Sequence, residues 1–199
     1  LIVLIAGLLL FTGIHFVPTL TPNLKRKWID RVGLKRYIRG FALTVLASLA
    51  IIILGWRSTT PVLLYFLPPM VQAMAFFLIV LAFALFVAAS NPSRIKRFVR
   101  HPQLTGVVCW ATAHLLLNGD SRGVLLFGWI GAWALVEMWL INYREDQWIK
   151  PDAPERKLEA KIVVKTIIGV SVFALAHPLF TGMHAIPYLQ GMFHAAFSG

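Results

Sequence analysis

Six apolar runs with few or no charges divide the chain, at residues 1–17, 40–56, 70–90, 103–117, 124–141 and 162–180. A helix crossing the hydrocarbon core needs about 20 residues, with a range of roughly 17–25. The fourth run is the shortest, so its ends are expected to meet protein or locally thinned lipid; the other five are adequate once interfacial Trp and Tyr are allowed. Gly and Pro between the runs (Pro18, Pro22, Pro61, Pro68, Pro69, Pro92, Pro102, Pro151 and Pro154) mark the breaks. The pattern predicts an all-α, polytopic membrane bundle of six transmembrane helices forming one domain over residues 1–199. Residues 150–161 mix both charges and read as a solvated loop with a helical end. Residues 182–199 are too short and too often broken to cross again, and are expected at the outer interface or packed back on the bundle.

Charge fixes the expected orientation. The first connection carries Lys25, Arg26, Lys27, Arg31, Lys35, Arg36 and Arg39. The third carries Arg94, Lys96, Arg97 and Arg100, and the fifth Arg144, Lys150, Arg156, Lys157 and Lys161, with Lys165 just inside the next helix. Only Arg57 and Arg122 fall on the other side. The positive-inside rule then places the odd connections in the cytoplasm and both termini outside, in a bacterial cytoplasmic membrane. No basic segment precedes the first run, so it reads as a retained span rather than a cleaved signal.

Composition agrees. Apolar residues make up 58% and charged residues 14% of the 199, and the mean hydropathy is +0.74, which excludes disorder and leaves too little polar surface for a water-soluble globule. A single Cys excludes a disulfide scaffold and a Cys-ligated zinc site. A net charge of +11 suggests nucleic acid in a soluble protein. Here the basic residues sort by connection, with no aromatic platform among them. They therefore read as an insertion signal and as contacts with anionic membrane lipids, with no nucleic-acid partner.

Ionisable residues inside spans are costly and mark candidate chemistry. His15, His114, Glu137 and His177 stand there, with His101 and His184 near span ends and His194 in the tail. At about 1.5 Å per residue, His114 and His177 each lie roughly 6 Å below the outer ends of their helices. His15 and Glu137 lie toward the cytoplasmic ends. Two layers result: an outer His pair and an inner His/Glu pair. Imidazoles on facing helices suit the two axial positions of a haem iron, with Trp110, Trp129 and Trp133 as apolar walls. Histidines that only hydrogen-bond across helices, and a proton relay through Glu137 and His15, are the other two readings. Zinc is disfavoured, because the outer layer holds no carboxylate except Asp120 on its loop. Cys109, five residues before His114, faces another side of its helix and reads as a packed apolar thiol.

The run Arg100-His101-Pro102-Gln103-Leu104-Thr105-Gly106, then Trp110, and Ala113-His114-Leu115-Leu116-Leu117-Asn118-Gly119-Asp120 resemble the signature of the NnrU family. Gly13-Ile14-His15-Phe16-Val17-Pro18 and His177-Pro178-Leu179-Phe180-Thr181-Gly182 resemble its terminal motifs, so the likeness spans essentially the whole chain. The resemblance implies an integral membrane protein linked to nitrite and nitric oxide metabolism, hence to denitrification. The 15-cis-zeta-carotene isomerases of plants and cyanobacteria are similar to this family and use haem b. That similarity implies His15 and His114 as haem ligands, whereas depth pairs His114 with His177. Both pairings keep His114. Haem b is therefore expected on His114 with His177 or His15, with Arg100, His101 and Trp110 as further cofactor-binding candidates. The role expected is redox, sensing of a small gaseous ligand, or isomerisation of an apolar small molecule.

Arg100-His101-Pro102, followed by Gly106, also resembles a motif of isoprenylcysteine-type membrane methyltransferases, which implies S-adenosylmethionine at the cytoplasmic face near Arg100, His101, Glu145 and Asp146. Without this likeness the motif reads as a tight X-Pro helix start with a basic anchor. An accessory membrane protein without a cofactor is the remaining alternative.

Overall fold

The computed structural model describes residues 1–145 and 147–181, with only the backbone described at Phe180 and Thr181. Asp146, His184, His194 and the rest of 182–199 lie outside the described residues. The described chain forms α1 (Ile2–Leu20), α2 (Pro22–Val32), α3 (Leu34–Ser58), α4 (Pro69–Ser90), α5 (Pro102–Leu117), α6 (Ser121–Arg144) and α7 (Arg156–Thr181), with a 3-10 turn at Arg94–Arg97. Pairing outside helices is limited, among the described residues, to one isolated antiparallel bridge between Leu63 and Asp120.

Local chemistry sets the helix starts. Proline, which lacks the N–H that a first turn leaves unpaired, opens α2, α4 and α5. The Asp120 carboxylate caps α6 by accepting from the backbone N–H of Arg122 at 3.0 Å and Gly123 at 2.9 Å.

The basic connection expected at 18–39 is helical almost throughout. Pro18 lies inside α1 instead of ending it, close enough to the C-terminus that the missing N–H costs one bond of the last turn. Thr21 N still donates to Val17 O at 3.0 Å. α3 starts six residues before its apolar run and carries Lys35, Arg36 and Arg39 on helix, since Lys and Arg are good helix formers whose charges extend to water. Five helices, α1, α3, α4, α6 and α7, are long and apolar enough to cross a membrane. α5, with 16 residues, spans about 24 Å, short of the roughly 30 Å hydrocarbon core, and packs between α4 and α6.

The core joins Leu4 and Leu8 of α1, Ile52 and Trp56 of α3, Ala111 of α5, and Phe127, Ile130 and Trp133 of α6. α1 and α3 are antiparallel and meet through glycine. A Cβ on Gly7 would stand 2.8 Å from Ile52 N, and one on Gly55 would overlap the Leu4 backbone. Such close backbone approach supplies van der Waals packing where lipid removes the hydrophobic drive between helices. Gly106 does the same for α5, against Phe86 and the Ala82 carbonyl of α4.

The three basic connections gather at one end. Arg144 donates to the Thr19 carbonyl, Arg100 pairs with Glu145, and Glu159 accepts from Arg94 N at 2.7 Å. At the opposite end, Leu64 N and Tyr65 N donate to Gly119 O, at 2.8 and 3.1 Å, and Ser121 N donates to Val62 O at 2.8 Å. The α3–α4 connection is thereby tied across the α5–α6 turn.

Candidate functional site

The outer layer centres on His114. Its position on α5 turns it inward, where it is 8% exposed. Its Nδ1–H donates to the Trp110 carbonyl one turn earlier, at 2.8 Å, which fixes the tautomer and leaves the lone pair on Nε2. The ring stacks on Phe127 of α6 with centroids 4.4 Å apart, and the Trp110 ring lies 4.7 Å away. On the α7 side stands His177, partly buried, its ring centroid 6.5 Å from that of His114 and the planes 32° apart. Phe173, one turn before His177, lies 5.8 Å from it. The two imidazoles that depth alone placed at one level thus approach each other, His114 against Phe127 and His177 against Phe173.

The inner layer is built differently. His15 of α1 donates from Nδ1 to the Phe11 carbonyl at 2.7 Å, and its ring neighbours are Phe11 at 4.3 Å, Trp133 at 5.0 Å and Phe41 at 5.4 Å. One turn further along each helix, Thr19 donates to Glu137 Oε1. The pairs His15/Thr19 and Trp133/Glu137 each have i, i+4 spacing, so each pair shares one helix face and the two faces meet. Glu137 is 6% exposed. Its Oε2 and the Trp133 Nε1–H are buried without a hydrogen-bond partner among the described residues. Phe127 and Trp133 are six residues apart on α6, so the two layers are separated by about 9 Å along that helix.

Arg100 and His101 belong to neither layer. Arg100 donates to the Glu145 carbonyl and lies 3.8 Å from its carboxylate, while His101 Nε2 donates to Asn142 Oδ1 at 2.8 Å. Both line an open cleft of 710 Å³ with Lys96, Glu145 and Trp148, which is the size of a small-molecule site. Three of the four residues that the methyltransferase likeness selects are therefore adjacent; the fourth, Asp146, is outside the described residues. Trp110 joins the outer layer and Cys109 is partly buried.

Sequence reading missed several partners. Arg122 lies over the Trp56 ring at 4.4 Å, donates to the Trp56 and Thr59 carbonyls at 3.2 and 3.4 Å, and pairs with Asp120 at 3.6 Å. It thus ties off the C-terminal carbonyls of α3, where a cation is favoured. Tyr65 donates its hydroxyl to the Leu115 carbonyl, next to His114, and burial together with the Asp120 carboxylate raises its phenol above the usual 10.0. Thr19 binds Glu137 from 118 positions away, a contact that neither periodicity nor a motif can signal.

The fold and these layers define an all-helical membrane protein with polar side chains buried between apolar helices. The chain matches the NnrU protein family over residues 3–185 and belongs to that family. No curated protein and no solved structure matches it.

Proposed function

We propose that this NnrU-family membrane protein binds haem b through His114 and His177, with the basic end of the bundle in the cytoplasm of a bacterial cell and the haem layer toward the outer side. The observation that carries the reading is the approach of two imidazoles from α5 and α7, with ring centroids 6.5 Å apart. His114 and His177 would hold the haem iron between them through imidazole nitrogen. The donor set also fits. A bare ion asks for three or four protein ligands, and among the described residues no group of three or more His, Cys, Asp or Glu is placed to hold one. A haem iron asks the protein for only two.

When bound, the haem supplies one-electron chemistry or a site for a small gaseous ligand. The chain's own part is to orient and to insulate. The Trp110 carbonyl holds the His114 tautomer, and a hydrogen bond from Nδ1 raises the basicity of Nε2. Phe127, Phe173 and Trp110 exclude water from the imidazoles. His15, set against Trp133, is the alternative partner that the isomerase likeness implies; an isomerase-type role on an apolar substrate belongs to that pairing.

The test is the absorbance of the purified protein from haem-replete cells. A strong Soret band is expected, shifting on reduction, and a folded, colourless preparation overturns the reading. A second reading is favoured by the cleft at Arg100, His101 and Glu145, which suits S-adenosylmethionine as the methyltransferase likeness implies. Calorimetric titration with that compound decides it, and no heat at saturating ligand removes it.

A further inference from the structure

The short helix between the first two long ones has an unassigned face. α2 fully buries none of its residues against the described protein; Lys25 and Ile29, on its inner side, are half-buried. Leu24, Trp28 and Val32, at i, i+4 and i+8, form one stripe and are all exposed. At 100° per residue Lys27 and Arg31 flank that stripe on one side and Lys25 on the other, while Asn23, Arg26 and Asp30 occupy the opposite face. Four cations against one acid leave the helix strongly positive.

Its orientation follows from the α1–α3 register. Gly7 lies against Ile52 and Gly55 against Leu4, so Leu20 is level with Arg39. Only the first five residues of α3 project beyond α1, about 8 Å, whereas α2 is about 16 Å long. α2 therefore lies obliquely, more along the end of the bundle than parallel to it. The φ of +83° at Gly33, a left-handed value suited to glycine, makes the turn into α3. Leu34 and Ile38, both exposed, continue the apolar band onto α3 beside Lys35, Arg36 and Arg39.

We infer that α2 is an interfacial anchor that seats Leu24, Trp28 and Val32 among the acyl chains at the basic end of the bundle, with Lys25, Lys27 and Arg31 on the headgroups of anionic phospholipids. Position between two long apolar helices brings α2 to the bilayer surface. Charge complementarity selects anionic lipid, and a Trp among aliphatic residues suits the headgroup boundary. Each cation that reaches an anionic surface changes the partition of the helix by about fivefold.

Spin labels at Trp28→Cys and, separately, Asp30→Cys, in full-length protein carrying Cys109→Ala, test this in vesicles of phosphatidylcholine alone or with phosphatidylglycerol. With phosphatidylglycerol, label 28 should meet oxygen and be shielded from a water-soluble nickel chelate, and label 30 the reverse. Lys27→Gln with Arg31→Gln should bring the response of label 28 close to that in phosphatidylcholine alone, with the helical circular dichroism unchanged. Label 28 open to nickel in both lipids overturns the inference. Label 28 shielded from both reagents also overturns it, because protein then covers the stripe. Identical shielding in the two lipids removes the anionic preference.

Discussion

The two polar layers have similar materials and opposite construction. The outer one sets imidazole toward imidazole, His114 of α5 and His177 of α7, with aromatic rings around them. The inner one sets His15 on Trp133 and Glu137 on Thr19, between α1 and α6. His15 and His114 each donate through Nδ1 to a carbonyl four residues earlier. That shared bond is therefore a helix habit of histidine and does not distinguish a ligand. What separates the layers is the group opposite each ring.

The sharpest way to break the comparison is to delete one imidazole at a time. His114→Ala and His177→Ala should each lower haem affinity by about 100-fold or more, since even loss of a supporting partner costs a metal site about 10–100-fold. His15→Ala should leave the Soret band within about twofold of wild type, read by pyridine haemochrome assay. If His15→Ala bleaches the protein and His177→Ala does not, the pairing is His15 with His114.

A second variant acts on the scaffold of the inner layer. Gly55→Ala forces a methyl into the Leu4 backbone and should pry α1 from α3, costing about 3 kcal/mol in detergent unfolding. The outer layer stands on α5 and α6 and on α7, which rests mainly on α4, and should keep more of its spectrum than the total stability loss suggests.

Thr19→Val is expected to cost about 1–3 kcal/mol, because it removes the hydroxyl from Oε1 when Oε2 has no hydrogen-bond partner among the described residues. Thr19→Ser should restore most of that loss, which separates the hydrogen bond from packing.

The smallest effect concerns the outer connection. The Tyr65 phenol has a raised folded-state value, so its contribution is fully present below about pH 10 and is lost as pH climbs through that raised value. Wild type should lose slightly more stability than Tyr65→Phe between pH 9 and 11 (about the phenol range), and equal slopes would remove Tyr65 from the account.

The apolar runs and the sorting of basic residues already contain the helical class, most helix limits and the gathering of charge at one end. Lipid imposes those on any chain, since backbone polar groups must pair within each span. The likeness over 100–120 and at the two termini likewise contains family membership, and depth along each helix contains the two layers. The sequence is silent on whatever depends on rotation and register between helices. Apolar length alone does not show that Pro18 stays inside α1 or that 22–32 is a helix, because both depend on one turn's hydrogen bonds among polar residues. Nor does it show that Thr19 meets Glu137, that Arg122 closes α3, or that His114 faces His177 and His15 faces Trp133. Those pairings are set by which helices pack, and glycines at residues 7, 55 and 106 decide how closely they do so. Burial of a polar group is local chemistry, whereas its partner is chosen by the packing of the whole bundle.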